Sequence, residues 1–107
     1  MNETRLKKLL EMEVANPADP FLKYALAQEY VSGGNDEEAE RYYVLLLHRF
    51  PTYLPTYYQY ALLAERGSNW ELAEELYKKG IALAQEQADA KTTQELNLAL
   101  LNLQFSR

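Results

Sequence analysis

Residues 24–43 read YALAQEYVSGGNDEEAERYY, and residues 58–77 read YQYALLAERGSNWELAEELY. When the two stretches are aligned with an offset of 34 residues, eight of the 20 positions are identical. Chance would supply roughly one or two identities, and a fixed period of this length is typical of stacked structural repeats. Pro17 and Pro51 keep the same spacing. The chain is therefore expected to consist largely of two copies of one structural unit.

Each copy divides into two predicted helices. Apolar residues recur at helical spacing, and glycines at 33, 34 and 67 fall between the periodic segments, where a helix can end at little conformational cost. Asn35 and Asn69 follow these glycines and are expected to cap the next helix. Leucine and alanine greatly outnumber valine and isoleucine, which also favours helices over strands. The predicted helices cover residues 20–31 and 36–50 in the first repeat and 55–66 and 70–87 in the second.

The small and aromatic residues of both copies resemble the tetratricopeptide repeat (TPR). The first copy carries Leu26, Ala27 and Tyr30 and then Ala39 and Tyr43, and the second carries Tyr60, Ala61 and Ala64 and then Ala73 and Tyr77. In this 34-residue family, small residues stand where paired helices touch and aromatic residues where the next repeat packs. Lys23, Ala64 and Gln85 depart from the pattern, because the family has a bulky residue, a tyrosine and a closing proline at these places. The resemblance implies an all-α fold, a right-handed solenoid of antiparallel helix pairs with about six helices.

A single TPR-like domain is expected over residues 1–107. Its predicted parts are an N-terminal half-repeat helix at 1–16, a first repeat at 20–53, a second repeat at 54–87 and a C-terminal capping helix at 92–105. The flanking helices carry apolar residues at helical spacing and would cover faces that the repeats cannot bury alone. Leu98, Leu101 and Phe105 fall partly off the packed face of the last helix, which leaves apolar surface exposed.

Composition restricts the classes of function. The chain has 107 residues, a formal net charge of −5, one histidine and no cysteine. The negative charge argues against nucleic-acid binding by phosphate neutralisation, and the lack of cysteine excludes a disulfide scaffold and a thiolate metal site. The first residues do not read as a signal peptide, and no apolar run has membrane-spanning length. We expect a cytoplasmic protein that binds neither nucleic acid nor membrane.

The titratable residues do not combine into a catalytic, cofactor-binding or metal site. His48 is expected in the last turn of a helix, where partial positive charge is favourable, rather than as a general base or metal ligand. Glu37 and Glu38 begin a helix, as solvated first-turn charges do. The serines have no base partner, and the glycines at 33 and 34 follow a helix rather than the strand of a phosphate-binding loop. The sequence predicts that the protein is not an enzyme and uses no cofactor.

The nine tyrosines indicate a binding surface instead. Four of them, Tyr24, Tyr42, Tyr53 and Tyr58, are not required by the packing pattern of the repeat. In proteins that resemble this family, the first helix of each repeat lines a concave groove that holds a peptide or a partner helix. The residues expected to line it here are Tyr24, Gln28, Val31, Tyr58, Gln59, Leu62 and Glu65. Because the matching positions carry no cation, we expect apolar contacts and amide hydrogen bonds rather than a clamp for an acidic chain terminus.

The sequence thus predicts a protein–protein interaction module, an adaptor or scaffold whose partner is a protein or peptide. An alternative stays open. The chain would then be a structural module in which two copies pair through the tyrosine-rich surface or the C-terminal apolar surface, without a foreign peptide. We accordingly expect a monomer or a weak homodimer.

Overall fold

The computed structural model describes residues 2–106, so Met1 and Arg107, the ends of the predicted domain, lie outside the described residues. The described residues form six α-helices and no strand, which confirms the predicted all-α fold class. The helices are α1 (Glu3–Ala15), α2 (Pro20–Ser32), α3 (Asp36–Arg49), α4 (Pro55–Arg66), α5 (Trp70–Glu86) and α6 (Ala90–Ser106). The chain divides into two compact units between Thr56 and Tyr57. The repeat boundaries at 20–53 and 54–87 stay a prediction.

Short polar side chains begin the helices. Asn35 and Asn69 each accept a hydrogen bond from the backbone N–H three residues later, at 3.2 and 3.3 Å, which confirms both predicted caps. Asp89 does the same for the last helix, because its Oδ1 atom accepts the backbone N–H of Thr92 at 3.0 Å. As a result, α6 begins at Ala90, before the predicted start at residue 92.

The turns that precede these three caps share one backbone conformation. Gly34, Ser68 and Ala88 have φ angles of 78°, 60° and 55°. In each turn the next residue donates its backbone N–H to a carbonyl in the last turn of the preceding helix, at distances of 2.8 to 2.9 Å. Left-handed backbone is inexpensive for glycine but unfavourable for serine and alanine, which carry a Cβ atom. The sequence signals this conformation by a glycine only in the first of the three turns.

In the first unit, α2 packs against both α1 and α3. Leu26, Ala27, Ala39, Tyr43 and Leu46 are completely buried. The two alanines are the small residues that the repeat pattern places where paired helices touch, and their burial agrees with a close approach of α2 and α3.

Polar contacts attach α1, which has no fully buried residue, to α2. Lys23 is 2% exposed, and its Nζ atom lies 3.0 Å from Oε2 of Glu13 and donates to the carbonyl of Pro17 at 2.7 Å. At the other end of α1, Glu29 accepts the backbone N–H of Asn2 at 3.1 Å. A buried ammonium group is costly unless it is paired, so the contacts of Lys23 explain how a lysine is tolerated where the family has a bulky residue.

In the second unit, α5 packs against α6, and a glycine in the middle of α5 makes room for its neighbours. A Cβ atom added at Gly80 would lie 2.9 Å from Cβ of Tyr57 and 3.1 Å from Cδ1 of Leu96. Glycine is unfavourable inside a helix by about 1 kcal/mol relative to alanine. Here it allows α4 and α6 to approach α5 more closely than any side chain would permit.

Candidate partner-binding surfaces

The predicted binding residues of the first unit lie along one stripe of α2. Tyr24, Gln28 and Val31 follow one another at helical spacing, and all three are half-buried. The ring of Tyr24 packs edge-on against Tyr53, with centroids 5.7 Å apart at 62°. Oε1 of Gln28 accepts a hydrogen bond of 2.5 Å from the hydroxyl of Tyr43. Contacts within the unit therefore hold the side chains of Tyr24 and Gln28 in place.

Phe21 extends this stripe, although the sequence reasoning did not include it among the binding residues. It precedes Tyr24 by three residues and Gln28 by seven, which places it on the same face of α2. Its side chain is 55% exposed. The spacing was a usable signal, but the apolar residues of α2 occur on more than one side, so the sequence did not separate Phe21 from the core.

The predicted residues of the second unit lie on α4. Tyr58, Gln59 and Glu65 are half-buried, whereas Leu62 is 42% exposed. The ring of Tyr58 packs edge-on against Tyr77, with centroids 6.0 Å apart at 88°. The hydroxyl of Tyr77 in turn donates a hydrogen bond to Oε2 of Glu65.

The two units thus fix a surface residue by the same kind of hydrogen bond. The acceptor in the second repeat stands about one helical turn later in the repeat than the acceptor in the first. Tyr43 and Tyr77 stand at equivalent repeat positions, and each donates from the core to a polar side chain on the preceding helix. The equivalent of Gln28 in the second repeat is a leucine, and Glu65 accepts the bond there instead. The α2 surface is consequently uncharged, whereas the α4 surface carries one carboxylate.

Burial changes the acid–base behaviour of these core tyrosines. Desolvation raises the pKa of Tyr43 far above its ordinary value, and Tyr24 adds to the effect. Desolvation also raises the pKa of Tyr77, with further contributions from its hydrogen bond to Glu65 and from the charge of that carboxylate. Both phenols therefore stay protonated and act as hydrogen-bond donors throughout the neutral range.

Tyr42 differs from its predicted role. The repeat pattern does not require it, yet the side chain is buried and stacks on Tyr30 with centroids 5.9 Å apart at 14°. The guanidinium of Arg41 also lies 4.6 Å from the centroid of the Tyr42 ring. The repeat contained a signal for this burial, since the residue 34 positions later is Leu76, another core residue. Tyr42 therefore belongs to the core and not to a free tyrosine surface.

The C-terminal apolar residues are exposed, as expected from the sequence. Leu98, Leu101 and Phe105 are 55%, 48% and 83% exposed on α6. Leu98 and Leu101 also line an open depression of about 580 Å³, whose lining includes Ala88, Ala90 and Asn97. The second unit therefore has an apolar surface on α6 in addition to the predicted surface on α4.

Other kinds of site find little support among residues 2–106. His48 is exposed in the last turn of α3, where it was predicted. Within the described range, His, Asp and Glu side chains do not gather in groups of three that could hold a metal ion. No helix in that range is both long enough and apolar enough to span a membrane.

Paired helices of repeated sequence define the class of the protein as an all-α helical-repeat protein, and comparison with solved structures agrees. The chain is similar to the solution structure of a tetratricopeptide repeat domain protein from Salinibacter ruber, to which it is 35% identical. The match covers 86% of this chain and 93% of that one, with a TM-score of 0.82. The crystal structure of a tetratricopeptide repeat domain protein from the same organism is also 35% identical to this chain. The match covers 83% of this chain and 99% of that one, with a TM-score of 0.78.

A solution structure of a protein from Bordetella parapertussis shares the fold at 20% identity, with a TM-score of 0.78 and coverage of 92% and 85%. No protein-family model matches the sequence, and no curated protein matches it. The identity and coverage of the Salinibacter relative are decisive. This chain belongs to the tetratricopeptide repeat family, which confirms the resemblance drawn from its residues. Such domains are typically protein-interaction modules without catalytic activity.

Proposed function

We propose that this protein is a non-catalytic adaptor that binds a peptide or helix of a partner protein through the surfaces of α2 and α4. The observation that carries the proposal is the partial burial and ring packing of Tyr24 and Tyr58, which occupy equivalent repeat positions. Each is half-buried, and each has a second tyrosine packed against its ring. A partner would meet aromatic groups already held in one orientation, so little conformational entropy would be lost on binding.

The polar groups on these surfaces define the chemistry of the partner. None of the seven predicted residues is cationic, and Glu65 is the one that carries a charge. Leu62 adds exposed apolar area, and the amide of Gln28, whose oxygen is engaged by Tyr43, keeps its NH₂ group to donate. A segment bound at α2 should therefore place an apolar side chain on Tyr24 and an acceptor near Gln28. A segment bound at α4 should place an apolar side chain on Tyr58 and a donor or cation near Glu65. An amphipathic helix meets these requirements.

The test measures binding and folding on the same variants. Partner proteins are captured on the immobilised chain from an extract of the native cell and identified, and the segment that binds is synthesised as a labelled peptide. Its dissociation constant is then measured by fluorescence anisotropy. Tyr24→Ala and Tyr58→Ala should each weaken binding by about 2 kcal/mol, the size of an interface hot spot. Each should cost roughly 1–2 kcal/mol of stability, since an edge-on ring contact and the partial burial of one ring are lost.

Two further variants make the result interpretable. Tyr43→Ala empties a completely buried position and should cost roughly 3–5 kcal/mol of folding free energy. Trp70→Ala removes an exposed aromatic side chain from the start of α5, outside the seven residues, and should leave peptide affinity unchanged. If Tyr24→Ala and Tyr58→Ala unfold the protein as strongly as Tyr43→Ala, these tyrosines are core residues and the proposal fails. It also fails if both variants melt normally and still bind the peptide at full affinity.

A further inference from the structure

One side of α6 is buried and the opposite side is apolar and exposed. The helix packs against α5, and its two buried residues, Leu96 and Leu103, stand two turns apart. Leu98, Leu101 and Phe105 point away from that contact and are about half or more exposed. A contiguous apolar stripe of this kind commonly marks an interaction site.

The exposed stripe has the spacing of a coiled-coil seam. Its members, called the α6 seam below, are Lys91, Gln94, Leu98, Leu101 and Phe105, all of them exposed. Steps of three and four residues alternate along the seam, which is the pattern that keeps side chains facing a second helix. The seam therefore fits a helix rather than an extended peptide.

The charge distribution favours a second copy of this chain as that helix. The chain carries a net charge of −5, so most of its surfaces would repel those of another copy. Residues 92–106 contain one charged residue, Glu95. The remaining polar residues near the seam, Gln94, Asn97 and Asn102, have amide groups that both donate and accept hydrogen bonds. Such groups can pair with their own copies across a two-fold axis, whereas a highly charged partner would find Lys91, at one end, as the one charge of the seam.

Shape complementarity is present within one chain. Phe105, at 83% exposure, is the protruding group at one end of the seam. An open depression of about 580 Å³ extends from Leu98 and Leu101 in the middle of the seam past Gln94 to Ala90 near its other end. Its charged member, Asp89, has both carboxylate oxygens engaged by Thr92. A protruding ring and a cavity on one surface are what a self-complementary, two-fold contact requires.

We infer that two copies of this chain pair antiparallel through their α6 seams. A two-fold axis midway between Leu98 and Leu101 places each of these leucines against the other in the second copy. The same axis sets Phe105 of each copy beside Gln94 of the other, where it enters the depression. A parallel pair would instead bring the two Lys91 side chains together and repel. Because the contact involves one helix from each copy, it is small, and self-association falls in the micromolar to millimolar range.

The test of pairing is sedimentation equilibrium of the full chain over a concentration series from micromolar to millimolar. The wild type should pass from monomer to dimer across the series. Phe105→Ala and Leu101→Glu should each raise the dimer dissociation constant about tenfold or more, with unchanged helical circular dichroism. Phe21→Ala is the matched control, an exposed phenylalanine on α2, and should leave the dissociation constant unchanged.

Two outcomes of this experiment overturn the inference. If the chain stays monomeric at every concentration, copies do not pair through the α6 seam, which then binds a helix of another protein or no partner. If Phe21→Ala weakens the dimer and Phe105→Ala does not, the contact between the copies lies outside the α6 seam. The first outcome does not bear on the adaptor function, because Tyr24 and Tyr58 are not part of the seam. The second would place the contact between copies on the α2 stripe that Phe21 shares with Tyr24. The inference itself does not rest on the adaptor function.

Cysteine cross-linking tests the orientation, since the chain contains no cysteine of its own. Chains with Gln94→Cys and chains with Phe105→Cys, distinguished by an affinity tag, are mixed at high concentration and oxidised mildly. In the antiparallel pair these two positions are adjacent, whereas each lies about 16 Å along the helix axis from its own copy. We expect the mixed cross-link to form at least tenfold faster than either self cross-link. Faster self cross-linking would show a parallel pair and overturn the proposed arrangement.

Discussion

Gly80→Ala is expected to destabilise the protein even though alanine is the better helix former. Gly80 lies inside α5, and a Cβ atom there would lie 2.9 Å from Cβ of Tyr57 on α4 and 3.1 Å from Cδ1 of Leu96 on α6. The leucine methyl is the far end of a flexible side chain and can rotate away. The tyrosine Cβ is bonded directly to the backbone, so relief on that side requires α4 itself to move.

The magnitude follows from two opposing contributions. Replacing glycine by alanine inside a helix favours folding by about 1 kcal/mol, mainly because the unfolded chain loses conformational freedom. Forcing an extra methyl group into a packed core costs roughly 1–3 kcal/mol, and the obstruction at the backbone-linked Cβ of Tyr57 places Gly80 in the upper part of that range. We therefore expect a net loss of about 1–2 kcal/mol in the free energy of unfolding.

The assay is urea unfolding followed by far-ultraviolet circular dichroism, with the slope m compared between variants to confirm that the same surface is exposed on unfolding. Gly67→Ala is the matched control, because a Cβ atom there would meet its nearest neighbours at 3.7 and 3.8 Å, an ordinary contact distance. That variant should gain about 0.5–1 kcal/mol. If Gly80→Ala becomes as stable as Gly67→Ala, the close approach of the three helices at this position is refuted.

Two further predictions concern the backbone and the core tyrosines. Ser68 has left-handed backbone with φ of 60°, so Ser68→Gly removes backbone strain and should stabilise the protein by about 0.5–1 kcal/mol in urea unfolding. Ser32→Gly is the control, since Ser32 lies in the last turn of α2, and this variant should destabilise the protein. Stability should also fall as the pH rises above about 10, because the pKa values of Tyr43 and Tyr77 are raised in the folded state and the unfolded chain loses these protons first. Urea midpoints measured between pH 8 and 11 give the dependence of stability on pH, and Tyr77→Phe should make that dependence weaker. An unchanged dependence in Tyr77→Phe would contradict a raised pKa of Tyr77 as its source.

The features of the fold that depend on local sequence were predictable. Pro55 at the first helical position, periodic apolar residues after it and Gly67 just past the last turn lie within one short segment, so α4 has the predicted bounds Pro55–Arg66. The start of α6 was predicted less well. The turn before it has the same conformation as the turn at Gly34, but its left-handed residue is Ala88, which carries no sequence signal for that conformation. Asp89, three residues before Thr92, was the available cap signal.

Features that depend on distant residues were not predictable from the pattern. Lys23 looked like a departure from the family, since a lysine ordinarily stays at the surface. Its burial rests on Glu13 and on the carbonyl of Pro17, which come from α1 and the following turn. The periodicity of residues within α2 cannot indicate that a carboxylate on another helix pairs with Lys23. The exposure of Leu98 and Phe105, in contrast, followed from the helical positions of α6 alone.

The candidate surface combines both kinds of information. Helical spacing was enough to place Tyr24, Gln28 and Val31 on one stripe of α2, because that arrangement depends on a single helix. Whether Gln28 offers its oxygen or its nitrogen to a partner depends on the core, since the hydroxyl of Tyr43 reaches across the helix pair and engages the oxygen. The same tyrosine that closes the core of the repeat thereby sets the polarity of the surface. In these repeats, the packing residues and the candidate binding residues cannot be assigned independently of one another.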